Sequence, residues 1–151
     1  PNSKVASVAP PVKSQMKRDI PVLGTAAGSA LKDNAFMLMA DPIDYVRRPA
    51  ALETAKGVYA LYIEGDSMAP KYDAGDLVFV HPFLPARIGD IVVVHEQNGH
   101  EETKAFIKRL TRRTAEWIET EQFNPPAQVK FKNTSGLKIH KVLQMNDLFG
   151  M

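Results

Sequence analysis

The chain has no cysteine among its 151 residues. Disulfide frameworks, thiolate zinc sites and thiol nucleophiles are therefore excluded together. It also lacks any run approaching the roughly 18–20 apolar residues that a membrane helix needs. The first apolar stretch is interrupted by Gly24 and Gly28 and does not have the shape of a secretion signal. The expectation is a cytoplasmic protein with no membrane contact. The four histidines, His81, His95, His100 and His140, show neither His-x-x-x-His nor His-Glu-x-x-His spacing, so no metal site is expected. A Gly-rich phosphate loop and a Gly-x-Ser-x-Gly elbow are both missing, and no cofactor is implied. The chain starts at Pro1 without a Met, which reads as a fragment or a processed product.

Charge of one sign is lacking overall but not locally. Nineteen Lys and Arg against seventeen Asp and Glu leave a formal +2, too balanced to imply a polyanion partner. Residues 1–48 carry net +3, residues 49–103 net −6 and residues 104–141 net +6. The last of these could form a nucleic-acid surface. With no helix-turn-helix, zinc-finger or RNP-type motif in the chain, charges on the solvent faces of strands are the better reading.

What is present is mainly β. Residues 1–20 mix Pro, Ser and Lys without apolar period and read as a linker or flexible arm. From residue 57 the pattern turns to short strands: 57–65, 77–80, 90–95, 104–110, 115–120 and 137–143. Turn signals such as Ala74-Gly75-Asp76, Gly89-Asp90, Asn98-Gly99 and Asn124-Pro125-Pro126 separate them. Only 43–54 hints at a helical period. One domain built as an antiparallel sheet or open barrel is expected.

Two segments stand out for chemistry. In Gly65-Asp66-Ser67-Met68-Ala69-Pro70 a strand ends in a tight turn that carries a serine. In Lys104-Ala105-Phe106-Ile107-Lys108-Arg109-Leu110, a strand would put Phe106, Lys108 and Leu110 on one face. A lysine between two apolar neighbours is a candidate for burial, which disfavours the ammonium. A neutral amine can take the proton of a serine hydroxyl, the Ser-Lys form of nucleophilic catalysis. On the residues alone a second reading stays open, with edge-strand charges and a serine that merely caps its turn.

The order of these motifs resembles a known family. Gly65-Asp66-Ser67-Met68, Ala74-Gly75-Asp76-Leu77-Val78-Phe79-Val80, Gly89-Asp90-Ile91-Val92-Val93-Val94 and Phe106-Ile107-Lys108-Arg109-Leu110 follow one another as in the self-cleaving C-terminal domain shared by LexA, phage CI-type repressors and UmuD (peptidase S24). The resemblance covers roughly residues 21–149 and implies the LexA/signal-peptidase-like fold of antiparallel sheets. It also implies Ser67 as nucleophile, Lys108 as general base, and backbone N–H groups of Asp66 and Ser67 as the oxyanion site. The family cuts an Ala-Gly bond upstream of its serine, here Ala27-Gly28, where small residues let the backbone approach the nucleophile. Thr25 departs from LexA, which has a more apolar residue near this position, so the docking of the cleavage strand is expected to differ. A second Ala-Gly, Ala74-Gly75, lies in a turn too close to Ser67 to fold back into the site.

The resemblance divides the chain into a linker (1–20), a cleavage-site segment (21–35) and a catalytic and dimerisation domain (36–151). Asp41-Pro42-Ile43-Asp44-Tyr45-Val46-Arg47-Arg48-Pro49 and the ending Met145-Asn146-Asp147-Leu148-Phe149-Gly150 look like those of phage-type repressors that join a helix-turn-helix to this domain. The expected partners are a second copy of the chain, a RecA filament as co-protease, and DNA through an N-terminal domain absent here. Two alternatives within the resemblance are a UmuD-like polymerase accessory protein and a non-cleaving dimerisation module. Signal peptidase, which also uses a Ser-Met turn and a lysine, would require a membrane anchor that this chain does not show.

Overall fold

Strand formation follows from local chemistry. Ile91–Glu96 (β5) holds three consecutive valines, whose branched side chains suit an extended backbone, and its first five residues are all buried. Leu77–His81 (β4) and Trp117–Phe123 (β7) alternate buried positions with half-buried or exposed ones, the period of a strand with one face inward. The computed structural model describes residues 17–27, 34–97 and 103–150. The other strands there are Ile20–Ala27 (β1), Phe36–Val46 (β2), Tyr59–Tyr62 (β3), Thr103–Arg113 (β6), Pro126–Lys132 (β8) and Leu137–Val142 (β9). A 3-10 turn at Ala50–Leu52 and a single helical turn, α1 (Met145–Leu148), complete the elements.

The strands form one sheet in the order β2-β1-β3-β4-β9-β5-β6-β7-β8. Phe36, Met37 and Leu38 of β2 also pair with Ala105, Lys104 and Thr103 of β6, which joins the first strand of the order to the seventh. The mainly-β expectation therefore holds, and the barrel is a ring of seven strands with the β7–β8 hairpin appended. All pairings are antiparallel except β1 with β3, which is parallel through Val22 and Ala60. The helical hint at 43–54 is not realised: residues 43–46 belong to β2 and only Ala50–Leu52 turns helically. The apolar residues there anchor to strands rather than to one helix face, so tertiary packing overrides a weak local period.

Three apolar clusters result. Leu38, Leu61, Val80, Val93, Ile107 and Val142, each from a different ring strand, meet in the ring interior. Outside the ring, Val92 and Val94 of β5 and Phe106 and Leu110 of β6 are covered by Ile118, Val129 and Phe131 of the hairpin. On another outer face Ile20, Val22 and Ala60 pack with Leu52 and Leu143. Each fully buried aliphatic side chain contributes about 1.5–3 kcal/mol. β5 and β6 are thus buried on both faces, and that double cover is what can hide a lysine. No helix among the described residues is long and apolar enough to cross a membrane.

Candidate active site

Ser67 lies on the loop that leaves β3. Ile63 donates to the Asp76 carbonyl and Gly75 donates back to the Ile63 carbonyl, both at 2.8 Å, closing the loop at its neck. Gly65 reverses the chain with φ +72°, a region that suits glycine. The loop then winds helically, with Ala69 N–H on the Asp66 carbonyl and Tyr72 N–H on the Met68 carbonyl, each at 3.0 Å. Met68, 2% exposed, plugs into the ring interior, and the adjacent Ser67 is also buried, at 9% exposed. The Ala74-Gly75 pair sits at the neck itself, away from the serine turn.

Lys108 lies mid-strand on β6, across from Val92 of β5, and is completely buried. Phe106 and Leu110 flank it on the same face, as the alternation requires, and Phe106 presents its ring 6.0 Å from Nζ. Nζ donates to Oε1 of Gln122 at 2.9 Å.

Gln122 and the two residues after it join the serine loop to the lysine. The Phe123 and Asn124 N–H groups both donate to the Ser67 carbonyl at 2.9 Å, and Asn124 Nδ2 donates to the Asp66 carbonyl at 3.3 Å. One turn of chain thus grips the nucleophile candidate by its backbone and the base candidate by its side chain. No direct Ser67–Lys108 hydrogen bond is among those formed within the described residues. Sequence reasoning saw only a turn signal at Asn124-Pro125-Pro126. The available clue was a polar Gln122 at a buried position of a strand whose other inward residues are Ile118 and Thr120.

The backbone N–H groups of Asp66 and Ser67 donate to no other group among the described residues. β1 approaches this loop from the side. Its parallel register with β3 carries its C-terminal end toward Glu64, whose Oε1 accepts from Thr25 Oγ1 at 2.6 Å. Ala27 ends β1, its backbone paired with Phe36, while Gly28 lies outside the described residues. Asn34, where the described chain resumes with φ 60°, donates from Nδ2 to Gln122 Oε1 at 3.2 Å.

A second polar cluster was not foreseen. The β5–β9 pairing brings two of the scattered histidines together, with ring centroids 4.1 Å apart. The Tyr59 hydroxyl bridges them, 2.8 Å from His95 Nε2 and 2.8 Å from His140 Nδ1. Having one proton, that hydroxyl donates to one ring and accepts from the other. Burial, with the neighbouring His140 adding to it, pulls His95 down to about 3. Burial, together with the Lys138 charge, pulls His140 down to about 4. Burial pushes the Tyr59 phenol up. Both imidazoles are therefore neutral at pH 7. Among the described residues no group of three His, Cys, Asp or Glu side chains is placed to hold a metal ion.

Four cations of the basic stretch 104–141 meet carboxylates among the described residues. Arg109 meets Glu121 at 2.6 Å across β6–β7, Glu119 faces Arg112 and Lys130, and Lys141 sits between Asp90 and Asp147. These four lie on strands, and Lys108 of the same stretch is buried.

Similarity to known proteins identifies the domain as one of the LexA/CI type. The family model described as Peptidase S24-like matches residues 22–135, and the chain belongs to that family. It is 32% identical over 136 residues to "Repressor protein C" of Rhizobium phage 16-3, an alignment covering 87% of this chain and 51% of that protein. The chain thus spans about half the length of the curated relative it matches.

Proposed function

We propose that the chain is the autoproteolytic and dimerisation part of a phage-type transcriptional repressor, cutting its own Ala27-Gly28 bond with Ser67 and Lys108. The observation that carries this reading is the Gln122–Asn124 turn, which bonds the Ser67 carbonyl and the Lys108 amine from adjacent positions. The Thr25–Glu64 contact, which ties the strand leading to Ala27 to the serine loop, supports it as well.

In the reaction Ser67 Oγ attacks the Ala27 carbonyl carbon while the neutral Lys108 amine takes its proton. The Asp66 and Ser67 N–H groups meet the oxyanion. Collapse breaks the bond to Gly28, whose nitrogen leaves with the proton from Lys108. Water then hydrolyses the acyl-serine and frees the Ala27 carboxylate. Because the substrate is part of the chain, effective concentration replaces binding energy. The Ser67–Lys108 hydrogen bond forms as the cleavage strand docks, since catalytic contacts commonly tighten only in the reacting complex.

In the repressor, two copies associate through this domain and DNA is held by a part outside this chain. The cut then separates DNA binding from dimerisation and repression falls with the lost avidity. A RecA filament is the proposed cellular stimulus. The name of the phage relative supports the repressor role.

The test is incubation of the purified chain at rising pH with intact-mass measurement. Loss of residues 1–27 should accelerate as Lys108 deprotonates, and Ser67→Ala or Lys108→Ala should abolish it. A chain that stays whole at alkaline pH and with activated RecA sinks the autoprotease, leaving a non-cleaving dimerisation module.

A further inference from the structure

Gln122 belongs to neither half of the dyad, yet its amide makes three directional contacts. Nε2 donates to the Pro125 carbonyl at 3.0 Å. That carbonyl can only accept, so the nitrogen must face it and the orientation of the amide is fixed. Oε1 is thereby turned the other way, where it receives Lys108 Nζ at 2.9 Å and Asn34 Nδ2 at 3.2 Å. The side chain is 6% exposed, so water competes poorly for that oxygen.

The described neighbours of Lys108 include Val92 of β5, Phe106 and Leu110 of β6, and Gln122 of β7. The apolar neighbours fill space without fixing the direction of the amine. A neutral lysine amine has two N–H donors and one lone pair, and only the lone pair can take a proton. An acceptor that holds one N–H restricts where that lone pair points. A carbonyl oxygen does this without adding charge, whereas a carboxylate would stabilise the ammonium and withhold the base.

We propose that Gln122 is the positioning residue that aims Lys108 at Ser67, and that Asn34 ties this aim to the chain carrying the cleavage site by sharing the same amide oxygen. The inference rests on the Ser67–Lys108 reading above. Asn34 stands six residues after Gly28, so the same stretch of chain supplies the bond to be cut and one of the two donors on Gln122.

The experiment compares the wild-type chain with Gln122→Glu, Gln122→Met and Asn34→Ala. Gln122→Glu preserves size and should move the midpoint of the cleavage pH profile upward by about one to three units, as a charge partner does. Its alkaline plateau should also fall, because a carboxylate cannot donate to the Pro125 carbonyl that fixes the orientation of the amide. Gln122→Met keeps volume but removes the acceptor; its plateau should fall at least about tenfold, the scale of a misaimed catalytic group. Asn34→Ala should lower the plateau about threefold, the scale of one neutral hydrogen bond, with its midpoint unmoved. In parallel, NMR titration of lysine 13Cε in a Ser67→Ala background reads Lys108 directly, without cleavage. There Gln122→Glu should raise the Lys108 midpoint. Thermal melts check that each variant folds.

If the wild type cleaves while Gln122→Glu leaves both midpoints in place and Gln122→Met keeps its plateau, the role of Gln122 is overturned and the dyad stands. An unchanged plateau in Asn34→Ala overturns the tie to the cleavage-site chain. A wild type that never cleaves removes the dyad reading, and with it the catalytic meaning of both contacts.

Discussion

Acidification should destabilise this protein earlier and more steeply than its carboxylates alone would cause. His95 and His140 have folded-state values of about 3 and about 4, against 6.5 for an unperturbed imidazole. Both are depressed, so between pH 6.5 and about 4 the unfolded chain takes up two protons that the folded chain refuses. Stability is fully present above pH 6.5 and falls as the pH drops below it. Each proton is worth about 1.4 kcal/mol per pH unit, so at pH 5 each histidine costs on the order of 2 kcal/mol. His140 is only partly buried and contributes less than that, giving a total of about 3 kcal/mol. Burial also lowers His81, with the same sign. Set against a typical stability of about 5–15 kcal/mol, this is a large fraction. The assay is urea unfolding of the Ser67→Ala chain at pH 7, 6 and 5, with and without His95→Gln. The wild-type slope should be steep, and His95→Gln should reduce it by about half while lowering stability at pH 7. Stability that stays level from pH 7 to pH 5 would refute the account, because two buried neutral imidazoles cannot be indifferent to protonation.

Met68→Ala should destabilise the chain by about 2–5 kcal/mol, the cost of emptying a buried site, with chemical denaturation as the measure. Gly65→Ala meets nothing within 4 Å, so its cost should be the backbone strain of φ +72° alone, about 1–2 kcal/mol; Gly65→Asn should cost less. Thr25→Val removes the hydroxyl that donates to Glu64 and should slow self-cleavage about fivefold, equivalent to about 1 kcal/mol, with no change in its pH midpoint. Glu64→Gln, which can still accept, should cleave closer to the wild-type rate in the same mass assay.

The strands from β3 to β7, and β9, were legible in the sequence because their branched and aromatic residues alternate between clear turns. β2 was not, since its exposed half carries Asp41, Pro42 and Asp44, residues that read as loop. It stays extended because β1 pairs along it from Ile20↔Val46 to Ala27↔Phe36, a partner no local pattern reveals. Ring closure was equally hidden, resting on three residue pairs between β2 and β6. Of the site, Ser67 and Lys108 could be named because a turn and an alternating strand each single out one residue. Gln122 could not, because its meaning lies in what reaches it: Lys108 from fourteen positions away and Asn34 from eighty-eight. The pairing of His95 with His140 was invisible for the same reason. The β5–β9 register, not sequence spacing, makes them neighbours.

The serine loop is held by its backbone and by Met68, and the Ser67 hydroxyl takes part in none of these anchors. The neck bonds run between Ile63, Gly75 and Asp76, the clamp from Phe123 and Asn124 ends on the Ser67 carbonyl, and Met68 supplies the apolar plug. Tyr72 adds a fourth tie, its hydroxyl accepting from Gln144 Nε2 at 2.6 Å just before α1. Replacing the Ser67 side chain by Ala deletes no hydrogen bond among the described residues and leaves a methyl in its place. Its stability should therefore stay within about 0.5 kcal/mol of wild type, as for substitutions that break no named interaction. Lys108 is different. Its stem fills space between Phe106, Leu110 and Gln122, so Lys108→Ala opens a cavity and leaves the Gln122 oxygen with Asn34 as its remaining donor among the described residues, a combination that costs several kcal/mol. Lys108→Met, which keeps the stem and removes the amine, is the variant that separates lost chemistry from lost packing. If Lys108→Met is folded and silent in cleavage, the amine itself is the working group; if it cleaves, the buried lysine is there for the core.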